Sequence, residues 1–164
     1  MIPRLLIFDA DGTLRWTTVP GQRYPLGADE WRLMPGVAER LRAIPWSQDG
    51  PWLAIASNQC GIGEGLIDRE LARRLLADCI VAAAGCLPAR AVIDFCSCAE
   101  GTPCPRQKPA PGLLTGILRQ FPVQPSEALY VGDLEIDRTA AERAGIPFQW
   151  ASDFFAAPSS CGAK

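Results

Sequence analysis

Short apolar runs alternate with amphipathic stretches along this chain. Apolar residues predict buried strands over five short ranges: 4–8, 52–56, 91–95, 128–131 and 147–150. Between them, helical spacing and helix-start signals predict helices over 37–44, 65–84, 111–120 and 136–144. The second of these helices carries one apolar stripe, formed by Ile67, Leu71, Leu75 and Cys79. Strands that alternate with helices are typical of an α/β domain with a parallel sheet.

Two segments interrupt this alternation. Residues 15–34 lack a clean period and contain several prolines and glycines, so we expect a loop or flap there. Residues 96–109 form a cysteine-rich loop. The length of 164 residues suits one domain. We expect this domain to span 1–155 and a loose tail to follow over 156–164.

Polar residues follow the predicted strands. Asp9 and Asp11 come after the first strand, Ser57 after the second, Lys108 after the third and Asp133 after the fourth. Ligands of parallel α/β sheets bind beyond the carboxyl ends of the strands. We therefore expect these side chains to form one site.

Histidine is absent from the chain, which narrows the chemistry available. Without imidazole there is no Ser-His-Asp or Cys-His pair and no histidine-ligated metal. The 16 basic and 18 acidic residues give a formal charge of −2. This balance offers no electrostatic footprint for nucleic acid or an anionic membrane.

Seven cysteines occur, and neither an export signal nor a run of about 20 apolar residues is visible. We therefore expect a cytoplasmic protein whose thiols are reduced or metal-bound. We also expect a monomer without a membrane partner.

The acidic residues favour a hard metal ion. Gly12 allows the backbone to turn Asp9 and Asp11 into one pocket. Asp133 arrives from another strand end, and Asp137 lies one helical turn beyond it. Carboxylates gathered without a cation repel each other, so Mg²⁺ is favoured. A solvated turn is the alternative for an isolated Asp-x-Asp pair.

Lys108 and Ser57 supply the complementary half of such a site. A lysine and a hydroxyl that face a carboxylate-bound metal can hold a dianionic phosphate, and the turn amides near Asn58 and Gly61 are further donors. An aspartate can accept the phosphoryl group, which divides a slow hydrolysis into two steps. A second aspartate can protonate the leaving oxygen and later deprotonate water.

The run from Asp9 to Leu14, Asp-Ala-Asp-Gly-Thr-Leu, resembles the first motif of the haloacid-dehalogenase-like phosphatases. The other motifs of that family follow in order: Ser57, Lys108-Pro109, and Gly132-Asp133 with Asp137. Each motif is weak by itself, but the ordered set, with each motif at a strand end, is a specific match over about residues 9–137.

This resemblance implies a doubly wound, Rossmann-like sheet with helices on both faces and no separate cap domain. It also implies a Mg²⁺-dependent phosphomonoester hydrolase with Asp9 as the nucleophile and Asp11 as the acid/base. The metal would be held by Asp9, the main-chain carbonyl of Asp11 and Asp133. Asp137 would support Lys108 or the metal shell.

The phosphate-binding residues that the resemblance implies are Ser57, Asn58 and Lys108. The run from Ser57 to Gly65 is similar to the second motif of heptose-bisphosphate and histidinol-phosphate phosphatases and of the 3′-phosphatase domain of polynucleotide kinases. A small metabolite such as a sugar phosphate or bisphosphate is the expected substrate. The alternatives are a nucleic-acid 3′-phosphatase and a non-catalytic, receiver-like phosphoacceptor, which would have no need of Asp11.

Cys96, Cys98 and Cys104 lie close together in the cysteine-rich loop, and thiolates at this spacing suit Zn²⁺. The heptose-bisphosphate type carries a comparable loop. Here Cys98 stands where that loop has histidine, Arg106 where it has its fourth ligand, and Gln107 where it has an arginine that faces the phosphate.

The cysteine-rich loop therefore has two interpretations. Three thiols do not complete a structural zinc site unless Cys60, Cys86 or a water adds a fourth ligand. The alternative is a loop of ordinary free thiols.

Overall fold

A parallel five-stranded sheet forms the centre of the molecule. The structure is a computed structural model that describes residues 3–47 and 49–156. In chain order its strands are β1 (Leu5–Phe8), β2 (Arg15–Thr17), β3 (Trp31–Leu33), β4 (Trp52–Asn58), β5 (Ala91–Cys96), β6 (Ala128–Gly132) and β7 (Phe148–Trp150). The sheet has the order β5-β4-β1-β6-β7, and all its pairs are parallel. The predicted α/β fold class is confirmed.

Helices cover both faces of this sheet. They are α1 (Val37–Arg42), α2 (Cys60–Gly63), α3 (Arg69–Ala84), α4 (Gly112–Leu118), α5 (Glu135–Ala144) and α6 (Ala151–Phe154). Successive residues of β1 point to opposite faces, so Phe8 packs into a core layer with α1, α3 and α6. Ile7 packs into a second layer with α4 and α5. The central strand is buried on both sides, as its uninterrupted apolar run requires.

The segment 15–34 contains more structure than the expected loop. Its ends, β2 and β3, form an antiparallel hairpin in which Trp16 lies opposite Arg32. Strands of three residues are too short to show a readable alternation, so the sequence did not reveal them. The flap therefore has a β-hairpin base that fixes where it leaves the sheet.

The prediction of a helix from residue 65 was wrong at its start. Gly65 has a left-handed φ of 73°, and α3 begins only at Arg69. The side chain of Asp68 caps this helix by accepting a 2.7 Å hydrogen bond from the Leu71 amide. Ile67 thus precedes the helix, although it still packs with Leu75.

The expected loose tail, 156–164, lies outside the described residues except for Ala156. Of the helices in the described part of the chain, none is both long enough and apolar enough to cross a membrane.

Candidate active site

The carboxyl ends of three neighbouring strands meet at one edge of the sheet, beside a cavity. Asp9 directly follows β1, Ser57 is the second-last residue of β4, and Asp133 directly follows β6. Because β1 lies between β4 and β6, these residues converge although they are far apart in sequence. The cavity has a volume of about 180 Å³, and its lining includes Asp9, Asp11, Ser57, Asn58, Lys108 and Asp137.

Lys108 is the centre of the polar network. Its buried ammonium group donates to Asp9 Oδ1 at 2.7 Å, to Asp137 Oδ1 at 2.6 Å and to the Tyr130 hydroxyl at 2.8 Å. Burial lowers the pKa of Lys108, but the charges of Asp9, Tyr130 and Asp137 outweigh this effect and hold that pKa well above its ordinary value. The lysine therefore stays protonated and can bind an anion.

Asn58 positions Lys108 through the backbone. Its side-chain amide accepts from the Lys108 amide at 3.0 Å and donates to the Lys108 carbonyl at 3.1 Å. The Asn58 side chain is thus occupied by the neighbouring loop. The phosphate-binding role of Asn58 stays a prediction for its main chain.

Asp137 and Tyr130 hold the Lys108 ammonium group in place. Asp137 Oδ1 accepts from Lys108 and from the Tyr130 hydroxyl, and its Oδ2 accepts from the Leu134 amide at 3.1 Å. Both carboxylate oxygens therefore have partners within the protein. Of the two supporting roles predicted for Asp137, this geometry favours the one toward Lys108.

Asp9 and Asp133 form the part of the site that suits a cation. Carboxylate oxygens of Asp9, Asp133 and Asp137 lie within 4.8 Å of one another. Burial raises the pKa of Asp9 to about 7, although Lys108 acts in the opposite direction. Burial also raises the pKa of Asp133. Buried carboxylates whose charge is disfavoured are the oxygen ligands that a hard divalent ion stabilises.

Two small residues keep Asp133 in place. The Thr13 hydroxyl donates to Asp133 Oδ1 at 2.9 Å. Gly12 has a left-handed φ of 95°, and a Cβ atom at this position would collide with the Asp133 carboxylate. The Gly-Thr pair after Asp11 therefore brings the first loop against the fourth strand end.

Asp11 also lines the cavity, and both of its carboxylate oxygens have hydrogen-bond partners. Arg15 Nε donates to Oδ1 at 2.8 Å, and Gln59 Nε2 donates to Oδ2 at 2.9 Å. The same Gln59 nitrogen also donates to Ser57 Oγ at 2.9 Å. Gln59 therefore connects the predicted phosphate-binding hydroxyl with the predicted acid/base.

Sequence reasoning missed four residues of this site: Thr13, Arg15, Gln59 and Tyr130. Thr13 stood within a motif, but nothing indicated its partner. Tyr130 carried a weak signal, because a tyrosine inside an apolar strand needs a partner for its hydroxyl. Arg15 looked like an ordinary loop residue, and Gln59 lay within the second motif without any indication of its partners.

The mouth of the cavity is formed by the flap and the cysteine-rich loop. Arg23 Nη2 contacts Glu100 Oε2 at 2.6 Å, and the Tyr24 hydroxyl donates to Glu64 Oε2 at 2.8 Å. The Tyr24 ring packs so closely on the Gly61 turn that a Cβ atom there would meet it at 2.7 Å. One guanidinium and two carboxylates thus lie together at the entrance.

The cysteine-rich loop brings three sulfur atoms together. The Sγ atoms of Cys96, Cys98 and Cys104 lie within 4.8 Å of one another, and Cys96 and Cys104 are 3.5 Å apart. A hydrogen bond with Cys98 lowers the pKa of Cys104 to about 7, whereas burial raises that of Cys96 to about 12. A thiol with a low pKa is readily available as a thiolate ligand.

The candidates for a fourth ligand lie elsewhere. Cys60 Sγ accepts a 3.3 Å hydrogen bond from Gln107 Nε2 and is not part of the three-sulfur group. Cys86 is exposed and follows the far end of α3. Arg106 is paired with Asp94 at 2.7 Å.

Comparison with known proteins identifies the family. A model of haloacid dehalogenase-like hydrolases matches residues 87–151. The D-glycero-beta-D-manno-heptose-1,7-bisphosphate 7-phosphatase of Pseudomonas aeruginosa is 31% identical over 140 residues, which cover 84% of this chain and 74% of that protein. The chain belongs to the haloacid dehalogenase-like hydrolases. A phosphatase of the same name from Rhodopseudomonas palustris is 29% identical over 150 residues, which cover 85% of this chain and 78% of that protein.

A solved structure places the fold in the same family. The D,D-heptose 1,7-bisphosphate phosphatase from B. bronchiseptica, crystallised with magnesium and phosphate, superposes with a TM-score of 0.74 at 26% identity. The match covers 88% of this chain and 78% of that one. The fold, the family and the phosphatase class expected from the motifs are confirmed for this haloacid dehalogenase-like phosphatase. The roles of its individual site residues stay predictions.

Proposed function

We propose that this haloacid dehalogenase-like phosphatase hydrolyses the phosphomonoester of a small sugar phosphate through a phosphoaspartyl intermediate on Asp9. One observation carries the proposal. A buried aspartate directly after the central strand lies 2.7 Å from a buried lysine, and one of its carboxylate oxygens lies within 4.8 Å of an Asp133 carboxylate oxygen. The proposed nucleophile, phosphate-binding cation and metal ligands thus lie together at the carboxyl edge of the sheet.

The residues fit Mg²⁺ as the metal of this site. Asp9 and Asp133 would hold it with carboxylate oxygens, together with the main-chain carbonyl of Asp11, and none of these is a soft ligand. When bound, Mg²⁺ neutralises charge on the phosphoryl oxygens. The magnesium in the B. bronchiseptica relative supports this assignment.

The chain's own residues account for the two chemical steps. An Asp9 carboxylate oxygen attacks phosphorus, the P–O ester bond breaks, and Asp11 donates a proton to the leaving oxygen. Asp11 then accepts a proton from a water that attacks the phosphoaspartate, which releases phosphate and restores Asp9. Lys108 and Ser57 hold the phosphoryl oxygens during both steps.

The mouth of the cavity favours a small substrate over a nucleic-acid end. Its guanidinium, on Arg23, is already paired with Glu100, and Glu64 adds a second carboxylate beside it. A polyanion would meet repulsion at this entrance and would find no cationic track there. The sugar-bisphosphate relatives support a sugar phosphate as the substrate class.

We also propose that Cys96, Cys98 and Cys104 bind Zn²⁺ in a structural site. The proximity of the three sulfur atoms and the low pKa of Cys104 support it. Because no cysteine of the described chain supplies a fourth sulfur, water is the expected fourth ligand.

The function is tested by assaying Asp9→Asn with Mg²⁺ against a panel of sugar monophosphates, sugar bisphosphates and a 3′-phosphorylated oligonucleotide. We expect wild-type turnover on a sugar phosphate, loss of at least about a thousandfold in Asp9→Asn, and silencing by EDTA that Mg²⁺ reverses. Asp78→Asn, an exposed change on α3, serves as the matched control. Full activity in Asp9→Asn would exclude the phosphoaspartyl mechanism.

Two other outcomes identify the alternatives. Preference for the oligonucleotide would establish the 3′-phosphatase. A phosphoaspartate that persists without turnover would establish a receiver-like phosphoacceptor.

A further inference from the structure

Arg15 is an arginine buried without any exposed surface, beside the candidate active site. Its Nε donates to Asp11 Oδ1 at 2.8 Å. Neither Nη1 nor Nη2 has a hydrogen-bond partner among the residues that the structure describes. Within that part of the chain, Asp11 is therefore the carboxylate that balances this buried charge.

The backbone holds Arg15 and Asp11 in a fixed relation. The Arg15 amide donates to the Ala10 carbonyl at 3.0 Å, and its carbonyl accepts from the Gly12 amide at 2.7 Å. These bonds close the loop that carries Asp11, and the pairing of β2 with β3 anchors the other side of Arg15. The guanidinium is thus presented to Asp11 by the rigid base of the flap.

The contact decides the orientation of the Asp11 carboxylate. Arg15 binds one oxygen and Gln59 binds the other, so the plane of the carboxylate is set from two sides. To donate its proton, the protonated Asp11 carboxyl group must lie within hydrogen-bond distance of the leaving oxygen and point toward it. A small rotation of this side chain would therefore slow the transfer.

Stability alone does not call for an arginine at this position. Burying a guanidinium with most of its donors unpaired is costly, and a buried ion pair is often no more stabilising than apolar residues of similar size. A methionine would fill much of the same space without that cost. The ion pair with Asp11 is what the arginine adds.

We propose that Arg15 is a positioning residue that orients Asp11 for proton transfer to the leaving oxygen. The inference rests on the proposed acid/base role of Asp11. With this role, the functional site includes a residue at the base of the flap. None of the motifs found in the sequence contains this residue.

Leaving-group dependence tests this role. An alkyl alkoxide needs a proton as it leaves, whereas p-nitrophenolate does not. The ratio kcat/KM depends only on the steps up to and including the first irreversible step, which here is departure of the leaving group. We expect Arg15→Met to lower kcat/KM by about a hundredfold for a sugar phosphate and by less than about threefold for p-nitrophenyl phosphate. A merely structural role would lower both by the same factor.

Three further variants complete the experiment. Asp11→Asn is expected to show the same selectivity, and adding Arg15→Met to it should cause no further loss. Arg4→Met is the matched control, because Arg4 forms an exposed pair with Glu127 at 3.1 Å. Should Arg15→Met fail to fold, as judged by circular dichroism, Arg15→Lys is compared in the same way, since its ammonium keeps the charge but changes the donor geometry.

Equal losses on both substrates, no loss on either, or an additive loss in the double variant would overturn the role of Arg15. Those outcomes leave the proposed function intact. If wild-type protein turns over neither substrate, or Asp9→Asn remains active, the proposed function itself has failed.

Discussion

Two clusters of side chains in this phosphatase could each hold a metal ion, and they are built differently. The acidic cluster, Asp9, Asp133 and Asp137, gathers residues from the ends of two central strands and from α5. The cysteine cluster, Cys96, Cys98 and Cys104, comes from the last residue of the edge strand β5 and the loop that follows it.

Their surroundings differ as well. Lys108 donates to Asp9 and Asp137, and the Thr13 hydroxyl donates to Asp133, so the rest of the fold fixes every carboxylate of the acidic cluster. In the cysteine cluster, the Sγ atoms of Cys96 and Cys104 lie 3.5 Å apart, and the backbone of the same loop supplies further contacts. Contacts from several elements therefore position the acidic cluster, whereas the cysteine cluster is confined to one short segment of the chain.

The largest effect is expected from Lys108→Met. It leaves Asp9 and Asp137 buried without their shared cation, so we expect a loss of about 3–5 kcal/mol in the free energy of unfolding. Phosphatase activity should fall by about a thousandfold or more. Urea unfolding followed by circular dichroism and a steady-state assay measure the two effects.

Arg106→Met is the control for that change, since Arg106 forms a partly exposed pair with Asp94 beside the cysteine cluster. We expect Arg106→Met to lower the free energy of unfolding by less than about 1 kcal/mol. Equal losses in the two variants would contradict the proposed difference between the clusters.

Tyr130→Phe should have the next largest effect. It removes a buried hydroxyl that contacts Lys108 at 2.8 Å and Asp137 at 2.9 Å. Leaving these partners under-satisfied should lower the free energy of unfolding by about 1–3 kcal/mol. Urea unfolding measures it, and an unchanged midpoint would show that water replaces the hydroxyl.

Cys104→Ser should leave catalysis largely intact. We expect the zinc content of purified protein to fall from about one equivalent to a small fraction, while kcat changes by less than about threefold. Elemental analysis and the Mg²⁺-dependent assay measure these quantities, and Cys86→Ser is the exposed control. If wild-type protein carries no zinc, the alternative interpretation of the cysteine cluster as ordinary free thiols is correct.

The smallest effect concerns thiol reactivity in chelator-treated protein. Because the pKa of Cys104 is lowered to about 7, roughly half of it is thiolate at pH 7, and its alkylation should slow about tenfold or more near pH 5.5. Cys79 is buried, and burial raises its pKa to about 12, so it should stay unmodified at both pH values. Peptide mass spectrometry after iodoacetamide treatment follows each site. Alkylation of Cys79 at the rate of Cys104 would contradict these pKa directions.

Part of the site was readable from the sequence because its residues follow apolar strands. Asp9, Ser57 and Asp133 each lie at the end of a predicted strand, and parallel strands bring such ends to one edge. The start of α3 was misread because a periodic apolar position, Ile67, lies before the helix and still packs on it. The helical period alone did not distinguish a residue within the helix from a residue that precedes the helix and packs against it.

The contacts of Arg15 and Gln59 with Asp11 could not be predicted from the sequence. Their partner, Asp11, is four residues from one and 48 from the other, and no periodic pattern relates either pair. The same holds for Tyr130, which reads as an apolar strand residue while its hydroxyl reaches Lys108.

The sequence by itself determined the alternation of strands and helices, the placement of the polar residues at strand ends, and the absence of histidine chemistry. These properties are local, because they follow from period, composition and short motifs. Only the tertiary structure decided that Asp137 binds Lys108 and that Arg15 orients Asp11. Such contacts depend on strand order and on which buried donors have acceptors within reach, and both are set when distant segments pack together.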